Sequence, residues 1–382
     1  MNRTGSTGLK TVVFVAMLMM FSSQAVGWQE FRVFETTDEQ EIPDVYGEII
    51  VWQQFVEQYG DYDIYIADIN NLAEPFVFVI GDANDQMHPA VYENTVVWQD
   101  YVVWEQYEDW DIWAADINDP GDMLFFPVSD IAENDEQFPA VSGNTVVWQD
   151  GFAGNFNIYG ADITDPYAPA EFLITDLELD QQNPVVYKTT ALWQDNSFGD
   201  EDVVGADIWQ RNKPDEFYFP YYEDQQQKPA LSGDMAVWQD DRSGNWDIYG
   251  ADISELDSPA EFAITTESSS QENPDIDGNI VVWEDNRHGN RDIYGYNLTT
   301  KQEFRITDNT YHQINPAVSG NVVVWEDYRN GKADIYAVVL DGPEVRGCMS
   351  KFAGDLNDDC RVDFKDFAIM ASHWLDSNFD QP

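Results

Sequence analysis

Short apolar runs alternate with polar segments that contain glycine and proline along most of this chain. The most regular stretch, residues 229–265, has the sequence PALSGDMAVWQDDRSGNWDIYGADI, then a short loop, then EFAIT. Its apolar runs are rich in Val, Ile, Tyr, Phe and Trp and are bounded by Gly, Pro, Asn and Asp, which is typical of β-strands. The pattern predicts four short strands in this stretch.

Similar text occurs seven times, and each copy contains a tryptophan followed by Gln or Glu. The seven tryptophan anchors are Trp52, Trp98, Trp148, Trp193, Trp238, Trp283 and Trp325. Their spacings are 46, 50, 45, 45, 45 and 42 residues. Four strands in a repeat of roughly 40–50 residues indicate a β-propeller blade. The sequence therefore predicts an all-β, seven-bladed propeller over residues 28–341, with six blades as the alternative if the divergent second copy forms none.

The two ends of the repeat region complement each other. The seventh copy stops near Leu340 without a fourth strand. Residues 29–33, QEFRV, match residues 302–306, QEFRI, which form the predicted fourth strand of the sixth copy. We expect the N-terminal strand to complete the last blade and close the ring, which would leave no open edge for strand pairing.

Two columns of the repeat have structural interpretations. We expect the anchor tryptophans to pack between blades. A polar residue three positions before the blade-opening proline forms the second column: Gln40, Gln86, Glu136, Gln181, Gln226, Gln271 and Gln313. A buried amide must find hydrogen-bond partners, so this column predicts a structural ring.

The loop between the second and third strands has its own pattern of Asp, Arg and Gly, as in Asp240, Arg242 and Gly244. An arginine bridging to a carboxylate would staple this hairpin. A weak calcium loop is the alternative, because carboxylates and backbone oxygens bind Ca²⁺. The arginine inside the motif disfavours a cation there.

The repeat resembles the TolB-like propeller repeat, in which a proline opens the first strand and a glycine-containing loop precedes an Ile-Tyr strand. The resemblance covers about residues 28 to 340. It implies the propeller fold, which binding proteins and enzymes share. TolB itself carries an additional N-terminal domain and works by binding partner proteins.

Charge narrows the range of partners. The chain has 72 acidic and 18 basic residues, giving a net charge of -54. Nucleic acids and anionic membrane surfaces are poor partners for such a field. Cations, basic ligands or a salty medium suit such a field better, and we expect a solvated acidic surface in a saline habitat.

Residues 1–27 have the pattern of an export signal. Arg3 and Lys10 form a basic start before the apolar run TVVFVAMLMMF, and Ser23, Ala25 and Gly27 offer small residues for cleavage. The run is short for a membrane span, although a retained anchor is the alternative. We expect a mature protein without a membrane span that is secreted, extracellular or on the cell surface, with the periplasm also possible.

Residues 342–382 contain a calcium-loop pattern. The predicted ligands, at loop positions 1, 3, 5, 7, 9 and 12, are Asp355, Asn357, Asp359, the Arg361 carbonyl, Asp363 and Asp366. Val362 occupies the apolar position 8, and the residues that follow form an apolar stripe at helical spacing. This pattern predicts a calcium ion bound by a loop and followed by a helix.

The same segment resembles a type I dockerin repeat, in which the twelfth ligand is Asp and an amphipathic helix follows. The resemblance implies Ca²⁺-dependent docking onto a protein partner, either cohesin-like or in the cell envelope. One loop is present where a complete dockerin has two, and Cys360 stands at the usual glycine position. Export permits a Cys348–Cys360 disulfide that would stiffen this small module. A propeller with such a module resembles secreted proteins of planctomycete-type bacteria.

The second copy breaks the repeat by inserting YVVWEQYEDW between Asp100 and Asp111. The candidate ligand-binding residues in this insert are Tyr101, Trp104, Glu105, Tyr107 and Trp110. Aromatic faces beside carboxylates can stack on sugar rings and bind their hydroxyls. The alternative is that the insert simply extends the hairpin and packs.

Three functions fit these patterns. We expect a non-catalytic binding or scaffold protein whose propeller presents a protein- or glycan-binding surface. The alternatives are a polysaccharide-degrading enzyme or accessory factor, using carboxylates as a glycoside hydrolase or lyase, and a purely structural envelope protein. The four histidines pair with no recognisable nucleophile motif, which disfavours a histidine-dependent hydrolase and leaves a carboxylate-based glycosidase or lyase as the enzymatic alternative. Non-repeated carboxylates at the mouth of the central channel would favour the enzyme.

Overall fold

The computed structural model describes residues 28–340 except 73–74, 104–107, 130–133, 152–153, 198, 212 and 221–223. Within these residues the chain forms seven sheets of four antiparallel strands. The predicted all-β, seven-bladed propeller is confirmed, and the divergent second copy forms a blade of its own. The described part of the chain contains no helix with the length and apolar character needed to cross a membrane.

The strands follow the repeat from the first blade to the seventh. Blades 1 to 3 consist of β2 (Glu39–Tyr46), β3 (Ile49–Val56), β4 (Asp61–Asp68), β5 (Phe76–Ile80); β6 (Gln86–Tyr92), β7 (Thr95–Val103), β8 (Glu108–Asp116), β9 (Leu124–Pro127); β10 (Glu136–Ser142), β11 (Thr145–Asp150), β12 (Asn157–Asp162) and β13 (Ala170–Leu173). Blades 4 and 5 consist of β14 (Gln181–Tyr187), β15 (Thr190–Asp195), β16 (Asp202–Asp207), β17 (Asp215–Tyr218); β18 (Gln226–Ser232), β19 (Met235–Asp240), β20 (Asp247–Asp252) and β21 (Ala260–Ala263). Blades 6 and 7 consist of β22 (Gln271–Asp277), β23 (Ile280–Asp285), β24 (Asp292–Asn297), β25 (Gln302–Arg305); β26 (Gln313–Ser319), β27 (Val322–Asp327), β28 (Asp334–Val339) and β1 (Phe31–Arg32).

The first strand of each blade is the innermost. These strands contact one another in the cyclic order β2, β6, β10, β14, β18, β22, β26 and back to β2. They therefore line a central channel, as in other propellers. The loops between second and third strands lie at the end of the channel where the innermost strands begin, because Gln86 pairs with Asp100 and Gln226 with Asp240. We call this end the channel mouth.

The N-terminal strand closes the ring as expected. In β1, Phe31 pairs with Ala337 and Arg32 with Tyr336 of β28. The Arg32 guanidinium contacts the Asp334 carboxylate, as Arg305 contacts Asp292 in blade 6. The match between QEFRV and QEFRI therefore extends from backbone pairing to an ion pair.

The core lies between blades. All seven anchor tryptophans are 0% exposed. Trp98 of blade 2, for example, packs in one cluster with Val51, Ile66 and Phe78 of blade 1. The predicted packing of the tryptophans between blades is confirmed, and it makes each blade depend on its neighbour for burial of apolar surface.

The arginine staple is present in blades 5, 6 and 7. Arg242 donates to the buried Asp240 carboxylate and to Glu261, and its guanidinium lies 4.2 Å from the centroid of the Tyr249 ring. The other two staples repeat these contacts with Asp285, Arg287, Tyr294 and Glu303 and with Asp327, Arg329, Tyr336 and Glu30. The staple interpretation is confirmed in these three blades.

Candidate functional site

Every innermost strand carries a β-bulge at the same place near the channel mouth. In blade 3, for instance, the pairing register shifts between Gln137 and Ala140. The residue directly before the blade-opening proline adopts a left-handed backbone with φ between 50° and 53°. We call these seven residues the mouth ring: Ile42, His88, Phe138, Asn183, Lys228, Asn273 and Asn315. Positive φ is unusual for a residue other than glycine and costs most for a β-branched side chain such as Ile42.

A closed circle of hydrogen bonds holds this strained backbone. The Gln or Glu after each anchor tryptophan accepts a hydrogen bond from the mouth-ring N–H of the next blade, at 2.8 to 3.1 Å. The acceptors, in chain order, are Gln53, Gln99, Gln149, Gln194, Gln239, Glu284 and Glu326. The last one closes the circle by accepting from Ile42. The backbone of the mouth ring is therefore the same in all blades, while its side chains differ.

Three mouth-ring side chains support the circle itself. The amides of Asn183, Asn273 and Asn315 donate to the acceptor in their own blade at 2.9, 2.6 and 2.7 Å. Asparagine also tolerates the left-handed region better than most residues. These three positions have a structural explanation, which the other four do not share.

His88 and Phe138 form an aromatic pair on one side of the mouth. Their ring centroids are 4.3 Å apart with planes inclined by 46°. Burial, assisted by the charge of Lys228, lowers the pKa of His88 to about 4. The imidazole is therefore neutral at physiological pH and offers a ring face.

Lys228 lies across the mouth, three blades away from His88. Both residues belong to the mouth ring on the innermost strands, so they face the same channel. Enclosure by the channel wall lowers the pKa of the Lys228 ammonium, while the Glu201 and Glu284 carboxylates act in the opposite direction. The side chain is still exposed to the solvent of the channel. Within the described residues its ammonium makes no hydrogen bond, while its backbone N–H donates to Gln194.

Carboxylates replace glutamine in the circle at blades 6 and 7. Glu284 accepts from Asn273 and from the Asn315 N–H, and the Arg291 guanidinium lies 2.9 Å from its other oxygen. Glu326 accepts from Asn315 and from the Tyr328 hydroxyl. Burial raises the pKa of both carboxyls. Non-repeated carboxylates thus reach the mouth, but the framework already uses their oxygens.

Two further carboxyls lie deeper in the channel, two residues beyond the mouth ring. Asp44 of blade 1 and Asp275 of blade 6 stand where the other blades have Ala or Val. Burial raises the pKa of Asp44 to about 6 and that of Asp275 to about 7. Each accepts a backbone N–H of the next blade, from Val91 and Val318 respectively. These carboxyls can exchange protons near neutral pH.

The predicted polar ring of the repeat is structural. Its seven members are 0% or 1% exposed. Gln181 and Gln271 donate to the preceding loop at 2.6 Å and accept from the hydroxyls of Thr175 and Thr265. Glu136, the exception, accepts from the Ser129 hydroxyl at 2.9 Å, and burial raises its pKa to about 9. A protonated Glu136 is neutral like the glutamines.

The insert in the second copy extends its hairpin. β7 and β8 continue three residue pairs past Asp100 and Asp111, with Tyr101 opposite Trp110 at a centroid separation of 5.1 Å. The Tyr101 hydroxyl donates to Glu108. The extension stands at the channel mouth and belongs to blade 2, the same blade that carries His88. Trp104, Glu105 and Tyr107 lie outside the described residues, so ligand binding by the insert stays a prediction.

The predicted calcium and disulfide residues also lie outside the described part of the chain. They are Asp355, Asn357, Asp359, Arg361, Asp363, Asp366, Cys348 and Cys360. Between residues 28 and 340, leaving out the gaps, no group of three or more His, Cys, Asp or Glu side chains is arranged to hold a metal ion. Calcium binding therefore stays a prediction for residues 342–382.

Sequence reasoning did not identify the mouth ring, although a signal for it exists. The column just before the blade-opening proline varies among Ile, His, Phe, Asn and Lys, whereas the proline after it and the Gln or Glu two residues before it repeat. Variation at a fixed repeat position distinguishes a functional column from a framework column. The ligand-binding site was predicted at the insert instead, because the insert changes the length of the repeat.

Comparison with solved structures supports the propeller fold. An oligogalacturonate lyase from Vibrio parahaemolyticus has a TM-score of 0.62 and 9% identity, over 89% of this chain and 100% of that one. The β-propeller domain of the Trilobed protease from Pyrococcus furiosus has a TM-score of 0.58 and 12% identity, over 85% and 100%. A Mycobacterium tuberculosis puromycin-hydrolyzing peptidase has a TM-score of 0.60 and 13% identity, over 84% and 54%. This chain thus spans about half the length of that peptidase.

Such low identities show a shared fold and carry no activity across to this chain. No family model matches the sequence, and a search of curated proteins gives no match. The β-propeller part of the predicted resemblance is confirmed. Its dockerin-like part stays a prediction.

Proposed function

We propose that this chain is an exported, non-catalytic binding protein whose ligand surface is the channel mouth. The observation that supports the proposal is the contrast within the mouth ring. One hydrogen-bond circle fixes the same strained backbone in seven blades, yet four of its side chains, Ile42, His88, Phe138 and Lys228, take no part in that circle. A rigid frame that presents varied side chains to a concave opening suits recognition.

The binding role fits the surroundings of the mouth as well. The carboxylates Glu284 and Glu326 are already hydrogen-bonded to the framework, which leaves them poorly placed to act as a nucleophile or a mobile acid. The aromatic hairpin of blade 2 stands at the same end and could extend the contact surface towards a protein or glycan ligand.

A carboxylate-based polysaccharide hydrolase or lyase is the second candidate, and Asp44 and Asp275 favour it. They are non-repeated and exchange protons near neutral pH. The Asp275→Asn variant separates the two candidates. An enzyme would lose turnover of a polysaccharide with little change in affinity, whereas a binding protein would show no turnover before or after the change.

The C-terminal segment would attach the propeller to a protein partner in a calcium-dependent manner. The proposed ligands are those of the predicted loop, beginning with Asp355 and ending with Asp366. Residues 1–27 would direct export, and the partner would lie outside the cytoplasm, on a cell surface or in an extracellular assembly. Calorimetric titration of the chain 28–382 with Ca²⁺ tests the loop. We expect saturable binding that the Asp355→Ala variant abolishes, and unchanged binding in that variant would refute the assignment.

To test binding at the mouth, the chain 28–382 is offered a glycan panel and the exported proteins of the organism that produces it. For any ligand that is found, we expect Phe138→Ala to weaken binding by about tenfold or more. Truncating an aromatic residue at the centre of a binding site lowers affinity by at least that factor. Tyr167→Ala is the matched control, since this aromatic is 83% exposed and lies in a loop at the opposite end of its blade. A ligand that responds to Tyr167 and not to Phe138 would refute the mouth, and a chain with no ligand would favour the structural envelope role.

A further inference from the structure

The ligand class can be narrowed from the four mouth-ring residues that the framework does not use. Left-handed backbone costs each of them on the order of 1 kcal/mol or more relative to asparagine or glycine. Asn183, Asn273 and Asn315 show which residue the position accepts for structural reasons alone. His88, Phe138 and Lys228 therefore stand at strained positions for reasons other than the stability of the ring.

The aromatic pair supplies a flat apolar surface. His88 and Phe138 come from adjacent blades, contact each other at 4.3 Å and are partly exposed to the channel. Ile42 of blade 1 extends this side of the mouth into an apolar arc over three consecutive blades. Such an arc packs against the face of a ring, either aromatic or sugar.

Lys228 supplies a positive charge opposite the arc. Each described arginine of the propeller is ion-paired, as Arg291 is with Glu272 and Glu284. The Lys228 ammonium has no ion-pair partner within the described residues, although the chain has four acidic residues for each basic one, 72 against 18. The nearby carboxylates are otherwise engaged, since Glu201 accepts from Gln227 and Glu284 from Asn273.

We propose that the channel mouth binds a ring that carries a carboxylate, with the ring face against His88 and Phe138 and the carboxylate on the Lys228 ammonium. The inference rests on the proposed function of the mouth as a binding site and names its ligand class. An ammonium and a carboxylate in contact form a charge-assisted hydrogen bond. Uronate sugars and aromatic acids share this chemistry.

The test compares each acid with its uncharged counterpart on the chain 28–382. The probes are a galacturonate oligomer with its methyl ester and phenylacetate with its amide. Measurement at 0.15 M salt or above keeps charges beyond about 8 Å screened, so that the overall negative charge does not mask the local contact. We expect at least one acid to bind about tenfold or more tightly than its neutral form. The pair that shows the preference identifies the source of the ring.

Two variants assign the contacts. Lys228→Asn introduces the residue that blade 6 has at this position, so the fold is retained, and it should remove the preference for the acid. Phe138→Asn should weaken the acid and the neutral form equally. Binding that depends on Phe138 but shows no preference for the acid would overturn the ligand class and leave the binding site standing. The same conclusion would follow if the preference for the acid persisted in Lys228→Asn. A preference that neither variant changes would overturn both proposals.

Discussion

Blades 5–7 and blades 1–4 have the same strands but differ in the residue that follows the end of the second strand. In blades 5–7 an arginine two residues later neutralises the buried aspartate and stacks on a tyrosine. In blades 1–4 the matching positions hold Val56, Val102, Phe152 and Ser197. The uniform half contains the blade that the N-terminal strand closes. The irregular half contains the apolar arc of the mouth ring and the extended hairpin.

This division separates the stapled blades from the apolar side of the mouth ring, which lies in blades 1–3. Where the chain must join its ends, each blade repeats the same ion pairs, and Glu30 of the N-terminal segment supplies one of them to Arg329. The blades that carry the apolar arc of Ile42, His88 and Phe138 have no arginine staple, whereas Lys228 belongs to blade 5, which has one. A propeller tolerates this because each blade is held mainly by packing of its tryptophan against its neighbour.

The largest effect is expected where the two halves are joined. Phe31 is 6% exposed and packs in the cluster between blades 7 and 1. Phe31→Ala should lower the free energy of unfolding by about 3–5 kcal/mol, because it removes a buried ring and loosens the closing strand. Phe304→Ala is the matched control, at the same position in blade 6 and only partly buried. Denaturant unfolding should show the larger loss for Phe31, and equal losses would contradict the special role of closure.

The next effect concerns the staple itself. Asp240 is 0% exposed and the Arg242 side chain is 13% exposed, so Arg242→Met leaves a buried carboxylate without its cation. We expect a loss of about 3 kcal/mol in unfolding free energy. Replacing the carboxylate too, in Asp240→Asn with Arg242→Met, should recover most of it, since the asparagine oxygen can still accept from Trp238. A double variant no more stable than the single one would contradict this account.

The framework was largely predictable from the sequence because it repeats. Seven copies average out local ambiguity, so the number of blades, the packing of the tryptophans, the polar ring and the closing strand all followed from columns such as Trp238 and Gln226. The staples were predictable for the same reason. Each of these features depends on residues that recur at a fixed spacing.

The mouth ring was not predicted, because its signal depends on backbone geometry. No local pattern shows that the residue before the proline is a bulge with positive φ, since this follows from pairing of β10 with β11 and its equivalents. Lys228 and His88 lie 140 positions apart (228 − 88), and they reach the same channel mouth only because the whole ring closes. Sequence variation in that column becomes informative only once the channel is known.

A smaller, pH-dependent effect is expected at Glu136, the one acid in the ring of buried glutamines. Its pKa of about 9 in the folded chain lies above the ordinary value near 4.5. Between these values the unfolded chain releases the proton and the folded chain retains it, so stability falls as pH rises through this window. Glu136→Gln should remove the fall and be more stable by about 2 kcal/mol at pH 8, with little gain at pH 4.5.

Unfolding midpoints from pH 4.5 to 8 measure this difference, and Gln181→Glu in blade 4 is the matched control. It should introduce the same decline with pH, because Gln181 is 0% exposed in the equivalent position. A Glu136→Gln variant that follows the wild-type profile would show that this carboxyl is not retained in its protonated form.

The smallest effect comes from adding a staple to the irregular half. In blade 4 the Ser197 N–H donates to Asp195 at 2.7 Å, just as the Arg242 N–H donates to Asp240 at 2.9 Å, so the backbone is already in place. Ser197→Arg should gain about 1 kcal/mol, because Asp195 is 2% exposed and would acquire a cation. Adding Val204→Tyr, at the position of Tyr249, should increase the gain by supplying the stacking ring. If the thermal unfolding temperature of the double variant equals that of the wild type, the staple stabilises a blade only together with the rest of that blade's sequence. If the double variant is more stable and still captures ligand at the mouth, blade 4 does not lack a staple for the sake of ligand binding. The association between missing staples and ligand contacts would then hold only for blades 1–3.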